Sequence, residues 1–363
     1  MKFLFLSQGA HLVWDPASPR AAGGAEFQAA LMARELVRRG HEAVLLGADT
    51  GQPDGAIWQG IRIRSGGRYD TGGMVDTLGA WPKIHRALRE ENPDFVVVYG
   101  WTSLLYALAL WRRVVPFRLV FVCALDAEID GGFRRRNPVR GLLFHRGMQA
   151  SDFRFGITAR QAAAFEEQGM RCHVTRLLLP EAQPTSATGK PVDLLWVARC
   201  EEVKRPMLFL DLAETLPDAR CRMICSAQDQ ALWERVKERA GRIANVEFIG
   251  GVAYRDIQSH FDGSKILVNT SSHEGVPNTF IHAARGGAAI ASLEIDPDGM
   301  FGTFRAGVLA HGDMNTLIDG VRLLLGEDAM REAAAVESAR FVREWHDNAR
   351  NVTAFLRGVE AAS

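Results

Sequence analysis

Short apolar runs alternate along the chain with segments whose apolar residues recur every three or four positions. KFLFLS (residues 2–7) precedes AEFQAALMARELVRRG (25–40), which has the spacing of an amphipathic helix and a stop at Gly40. AVLLGA (43–48), DFVVVYG (94–100), RLVFVCAL (118–125) and FRFGIT (153–158) are further strand-like runs, each followed by a helical pattern. Strands that are apolar at nearly every position belong to a parallel sheet covered on both faces. Their alternation with helices predicts a doubly wound α/β fold. The rhythm pauses at PEAQPTSATGKP (180–191), a Pro, Ser, Thr and Gly-rich stretch with the composition of a linker. It then restarts with VDLLWVAR (192–199), RCRMICS (220–226), NVEFIGG (245–251), KILVNTS (265–271) and AAIASLE (288–294). The pattern predicts two Rossmann-like domains, residues 1–180 and 192–344, joined by a linker at 181–191. A C-terminal helix at 345–363 is expected to pack back toward the first domain. A ligand is expected in a cleft at the carboxyl ends of the strands.

Size and charge narrow this picture. The 363 residues suit two domains of roughly 150 residues each. Lys plus Arg equals Asp plus Glu at 43 each, so no global field draws the chain to nucleic acid. The five cysteines form no CxxC pair and read as reduced structural thiols. MKFLFLS runs into Gln8-Gly9 and reads as the first strand rather than a signal peptide. The most apolar run, residues 103–125, is interrupted by Arg112, Arg113 and Pro116 and is no membrane span. A cytoplasmic location is the expectation.

Candidate chemistry gathers at a few loops. GGAE (23–26) opens the first helix, where free N–H groups without a Cβ suit a phosphate or sugar oxygen; a plain glycine cap fits equally well. The sequence is not GxGxxG, and the loop from Gln8 to Ala22 is too long for a tight dinucleotide turn. ARCEEVKR (198–205) follows the first strand of the second domain. Arg199 and Lys204 there suit a diphosphate clamp, or else form solvated pairs with Glu201 and Glu202. In SSHEGVPNTFIHAARGG (271–287), Glu274 stands before a helix opened by Pro277 and Asn278, whose positive end faces the ligand side. His282 lies within that helix and alone reads as a packed histidine. CALDAEID (123–130) ends a strand with three acids, Asp126, Glu128 and Asp130. GGFRRRNPVRGLLFHRG (131–147) combines Arg134, Arg135, Arg136 and Arg140 with apolar residues. Such a surface suits an anionic membrane face or a lipid-linked acceptor, or is a solvated basic face.

Taken together, GGAEFQAALMARELVRRGHEAVLL, VARCEEVKRPMLFLDLAETLPDARCRMI, NTSSHEGVPNTFIHAARGGAAIAS and GVLAHGDMNTLIDGVRLLL resemble, in order and spacing, the retaining glycosyltransferases of family 4. The resemblance spans nearly the whole chain and implies the GT-B fold of two facing Rossmann-like domains. It implies a nucleoside-diphosphate sugar as donor, a glycan or lipid-linked acceptor, and neither cofactor nor metal. By similarity, Arg199 and Lys204 hold the diphosphate and Glu274 meets the sugar hydroxyls. Gly275, Val276, Pro277 and Asn278 line the sugar and phosphates, and Gly23 and Gly24 close over the diphosphate. The base lies near Ser226 and the turn containing Val252 and Tyr254. Two departures stand out. His282 occupies the place, eight residues after Glu274, of the family's ribose-binding glutamate. Asp126 is the nearest polar substitute for an acceptor-side histidine. The alternatives are a degenerate nucleotide-sugar-binding protein and another GT-B activity such as a sugar-nucleotide epimerase.

Overall fold

The computed structural model describes residues 1–13, 23–49, 52–69, 74–181 and 189–361. The chain divides into two compact units. Of the described residues, the first takes in those up to Pro180 together with the tail from Asn348, and the second those from Glu181 to Asp347.

In the first unit the described strands are β1 (Lys2–Leu6), β2 (Glu42–Gly47), β3 (Ile57–Trp58), β4 (Ile61–Ser65), β5 (Phe95–Tyr99), β6 (Arg118–Val122), β7 (Phe153–Gly156) and β8 (His173–Val174). They form one sheet in the order β3-β4-β2-β1-β5-β6-β7-β8. All neighbours are parallel except β3 and β4. The continuous apolar runs became the central strands, with Phe3, Leu4, Phe5, Val96, Val97 and Val120 fully buried, as strands covered on both faces require. The β3–β4 hairpin was not anticipated. It is an edge element in which Ile61 and Ile63 are buried while Arg62 faces out. Its turn residues Gln59 and Gly60 both have positive φ, the geometry of a tight two-residue hairpin.

The tail forms a helix, Asn348–Glu360, whose Val352, Phe355 and Val359 are completely buried in the first unit. Phe355 packs on Phe155 at 4.9 Å and on Phe3 at 6.0 Å. Asn348 exchanges two hydrogen bonds with Leu179, at 2.7 and 3.0 Å. A Cβ on Gly358 would sit 2.6 Å from the Phe155 ring, so only glycine permits this approach. The preceding helix, Asp328–Trp345, belongs to the second unit.

The second unit holds β9 (Val192–Cys200), β10 (Cys221–Ala227), β11 (Val246–Ile249), β12 (Ser264–Asn269), β13 (Ala289–Ser292) and β14 (Gly307–Leu309). Their order is β11-β10-β9-β12-β13-β14, all parallel, the doubly wound order in which direction reverses between β9 and β12. All five cysteines are buried, in keeping with structural thiols.

Candidate functional site

A doubly wound sheet places its ligand at the carboxyl ends of the strands beside the point of reversal. In the second unit that point is flanked by two loops, Glu201–Arg205 after β9 and Thr270–Pro277 after β12. Side chains tie the two loops together. Thr270 Oγ1 donates to the Lys204 carbonyl at 2.7 Å and accepts from the buried Trp196 indole at 2.9 Å. Ser272 N–H donates to the Val203 carbonyl at 2.9 Å. Arg205 donates to the Thr270 and Ser271 carbonyls at 2.7 and 3.0 Å and pairs with Glu294 at 3.1 Å. Arg205 itself is left-handed, with φ 48° and ψ 55°, at a cost of roughly 1–2 kcal/mol for a residue with a Cβ.

This knot presents Lys204 and Glu274. The Lys204 ammonium donates to Glu274 Oε1, and the two side chains are only 16% and 12% exposed. Ser271 Oγ donates to the same oxygen at 2.9 Å, and Ser271 N–H donates to Asn269 Oδ1 at 3.1 Å. Glu274 is thus held from the end of β12 as well as by Lys204. Gly275, Val276 and Pro277 are buried in the loop and Asn278 is half-buried. The helix runs over Asn278–Arg285, one residue later than a proline in its first turn implies. Pro277 is its cap, with ψ 124° still extended. The positive end of this helix, a natural seat for negative charge, lies beside the Glu274 loop.

Arg199 does not join Lys204 in this knot. It lies exposed near the end of β9 and pairs with Glu201 at 3.2 Å. Ser226 stands beside it on β10, in register with Arg199. A Cβ on Gly251 would lie 3.8 Å from that of Ser226, which brings the turn containing half-buried Val252 and Tyr254 next to β10. Tyr254 meets His282 edge-on at 6.0 Å. His282 is 6% exposed, stacked on Phe261 at 5.2 Å, and its Nδ1 is 2.7 Å from Gln258 Oε1. Burial first, and Arg285 second, push its pKa down to about 3, so the ring is neutral. This is the ring that the family resemblance sets in the place of a ribose-binding glutamate. The ring is packed against Phe261 and Gln258 of the neighbouring helix. Residues 296–298 (DPD) form a turn, with Asp296 Oδ1 accepting from Phe301 N–H at 3.2 Å.

In the first unit Gly23 caps the helix Gly24–Arg38, and its N–H donates to Glu26 Oε2 at 2.6 Å. That donor is already committed, and the exposed Gly24 carries the free helix start. The loop before it, residues 14–22, lies outside the described residues. Asp126 accepts from Gln161 at 3.0 Å and pairs with Arg160 at 3.3 Å. The acid distinguished by its surroundings is Glu128. It is 6% exposed, accepts from Ala124 N–H at 2.9 Å, and burial pushes its pKa up to about 7. Arg134, Arg135 and Arg140 are exposed; the Arg136 side chain lies outside the described residues. Val139, Leu142 and Leu143 on the same segment are also exposed.

Arg205, Thr270, Ser271 and Asn269 were missed by sequence reasoning. The available signal was NTSS, a run of small hydrogen-bonding residues directly after a buried strand.

Residues 23–181 match the profile of a glycosyl transferase 4-like domain, and residues 191–327 that of glycosyl transferases group 1. No curated protein matches the chain. Among solved structures, sucrose-phosphate synthase from Thermosynechococcus elongatus superposes with a TM-score of 0.80 at 14% identity, covering 100% of both chains. WaaG, a glycosyltransferase involved in lipopolysaccharide biosynthesis, gives 0.72 at 13% identity, covering 98% of this chain and 99% of that one. A trehalose-6-phosphate structure from E. coli bound with UDP-2-fluoro glucose gives 0.70 at 14% identity, covering 98% of each chain. At these identities the superpositions speak for the fold.

Proposed function

We propose, for a chain that belongs to the group 1 glycosyltransferases of GT-B fold, that it is a retaining enzyme moving a sugar from a nucleoside-diphosphate donor to a glycan or lipid-linked acceptor. The observation that carries the reading is the Lys204–Glu274 pair, held at the reversal point of the second sheet beside a helix start. Cleavage of the anomeric C–O bond puts negative charge on the leaving diphosphate and positive charge on the sugar ring. Lys204 and the N–H groups at the start of helix Asn278–Arg285 stabilise the first, most strongly in the transition state. Arg199 exchanges Glu201 for the diphosphate. Glu274 accepts hydrogen bonds from sugar hydroxyls and offsets charge on the ring. These fixed cations take the role that a divalent metal plays elsewhere. Attack on the face the leaving group departs from retains configuration, and a leaving phosphate oxygen takes the acceptor's proton. The exposed arginines and apolar residues of 132–150 support a lipid-linked acceptor, and the WaaG likeness supports a place in surface polysaccharide or glycolipid assembly. The burial of His282 favours a second reading, a nucleotide-sugar binder without turnover, because ribose recognition then lacks its usual acid.

Thermal shift with UDP, GDP, ADP and dTDP tests the donor site. One of them is expected to stabilise the chain, by about 2.7 kcal/mol at one hundred times its Kd. Stabilisation by none of them would sink the reading. With the matching nucleotide sugar, hydrolysis is expected to fall on the order of 100-fold in Glu274→Ala and Lys204→Ala. Turnover absent from the unmodified chain favours the binder, and an epimerised nucleotide sugar as product overturns both.

A further inference from the structure

The first unit contains a cavity of about 350 Å³, near the lower end of the range of ligand pockets. It opens between the turn Asp126–Glu128, the helices Gly132–Arg136 and Pro138–Ala150, and Gln168 at the end of helix Ala159–Glu167. One part of its wall is apolar. Phe133 and Phe144 meet edge to face at 5.9 Å, and Trp101 backs Phe133 at 4.8 Å.

The polar part of the wall mixes donors and acceptors. Gln168 spends both of its amide hydrogens on the Ile129 and Ala164 carbonyls, at 3.0 and 3.2 Å, so it offers its side-chain carbonyl as an acceptor. Glu128 lines the same space, with its carboxyl accepting from Ala124 N–H at 2.9 Å. Asp130 is anchored by the Gly132 N–H at 2.6 Å. Arg134 and His145 supply donors. Burial, with Arg134 and Arg146 nearby, lowers the His145 pKa.

This balance selects among ligands. Asp130 offsets the one guanidinium, which disfavours a phosphate. A wall half polar disfavours a hydrocarbon chain, which would strand buried polar groups. A pyranose has an apolar C–H face for the phenylalanine rings and a rim of hydroxyls that both donate and accept. We propose that this cavity is a binding subsite for a neutral sugar residue, distinct from the nucleotide-sugar site of the second unit, and that it holds a glycosyl unit of the acceptor. The assignment to the acceptor rests on the transfer reading; the sugar site itself does not.

Methyl glycosides of glucose, galactose, mannose and N-acetylglucosamine serve as probes, followed by saturation-transfer NMR and by the fluorescence of the whole chain. At least one is expected to bind, and at least tenfold more weakly to Gln168→Ala and to Phe133→Ala. Both variants are expected to keep the nucleotide thermal shift. Gln168→Ala leaves the aromatic packing alone, so it remains informative if Phe133→Ala fails to fold. Absence of glycoside binding, or undiminished binding in Gln168→Ala, overturns the proposal. So does binding of inorganic phosphate or octyl phosphate that Gln168→Ala abolishes. Absence of glycoside binding to the unmodified chain, with nucleotide stabilisation intact, refutes the cavity alone. Glycoside binding without any nucleotide response refutes the transferase reading alone.

Discussion

His282 is kept neutral by its packing against Phe261, Tyr254 and Gln258, and this has a consequence for stability. Its pKa is about 3 in the folded chain against an ordinary 6.5. Between those values the unfolded chain carries a proton that the folded one refuses, so stability is full above pH 6.5 and is lost as pH falls below it. By pH 5 the loss from this ring is about 2 kcal/mol. Urea midpoints measured from pH 8 to 5 are expected to fall less steeply in His282→Gln than in the unmodified chain; identical slopes would show that the ring is not responsible. Residue identity alone could not reveal this, because a histidine in a helix reads the same whether it faces a ligand or a phenylalanine. Lys204 and Glu274, by contrast, were both legible from their positions after apolar strands. Arg205 was not. An Arg next to a Lys in a loop looks like surface charge, and only its left-handed backbone and its bonds to Thr270 and Ser271 show that it builds the site.

At the scale of elements, the helices of the second unit that carry Tyr254 and Asn278 are joined at their far ends by Lys190. Its ammonium donates to the carbonyls of Asp262, Ser264 and Gly286, at 3.3, 2.9 and 2.6 Å. The first and last of these close the helices Tyr254–Asp262 and Asn278–Arg285, where a cation answers both the unpaired carbonyls and the helix dipoles. Lys190→Met keeps the stem and removes the charge. It is expected to destabilise the chain by on the order of 2–3 kcal/mol, read from denaturant midpoints; an unchanged midpoint would make the contact incidental. The sequence assigned Lys190 to a linker, and residues 182–188 of that linker lie outside the described residues. Long buried strands were readable because every position is apolar. The hairpin β3–β4 was not, since a short edge pair with one covered face shows only a brief alternation.

At the scale of the whole molecule, equal numbers of basic and acidic residues leave no net charge to draw the chain to an anionic surface. Among the described residues no helix is long and apolar enough to cross a membrane. The attraction to a bilayer proposed with a lipid-linked acceptor is assigned to the exposed segment with Arg134, Arg135, Arg140, Val139, Leu142 and Leu143. Each basic residue near such a surface contributes about 1 kcal/mol, screened within ~10 Å at 0.1 M salt. Flotation with vesicles containing anionic lipid is expected to weaken on the order of 100-fold when Arg134, Arg135 and Arg140 are all replaced by Ser, and to weaken at high salt. Equal flotation of the triple variant would remove the membrane from the account.

What the sequence determined by itself was the alternation of apolar strands and amphipathic helices, and hence two doubly wound units. Burial on both faces of a parallel sheet leaves a mark at every strand position. It also determined which loops follow the strand ends, and so where Lys204, Glu274 and Asn278 would stand. Tertiary structure alone decided how those residues pair: Lys204 with Glu274 rather than with Arg199, Arg205 as the clasp of both loops, and His282 turned into the core. It alone decided that Glu128 rather than Asp126 is the shielded acid. These outcomes depend on distances between residues far apart in the chain and on how much water each group retains, and neither leaves a local pattern in the sequence.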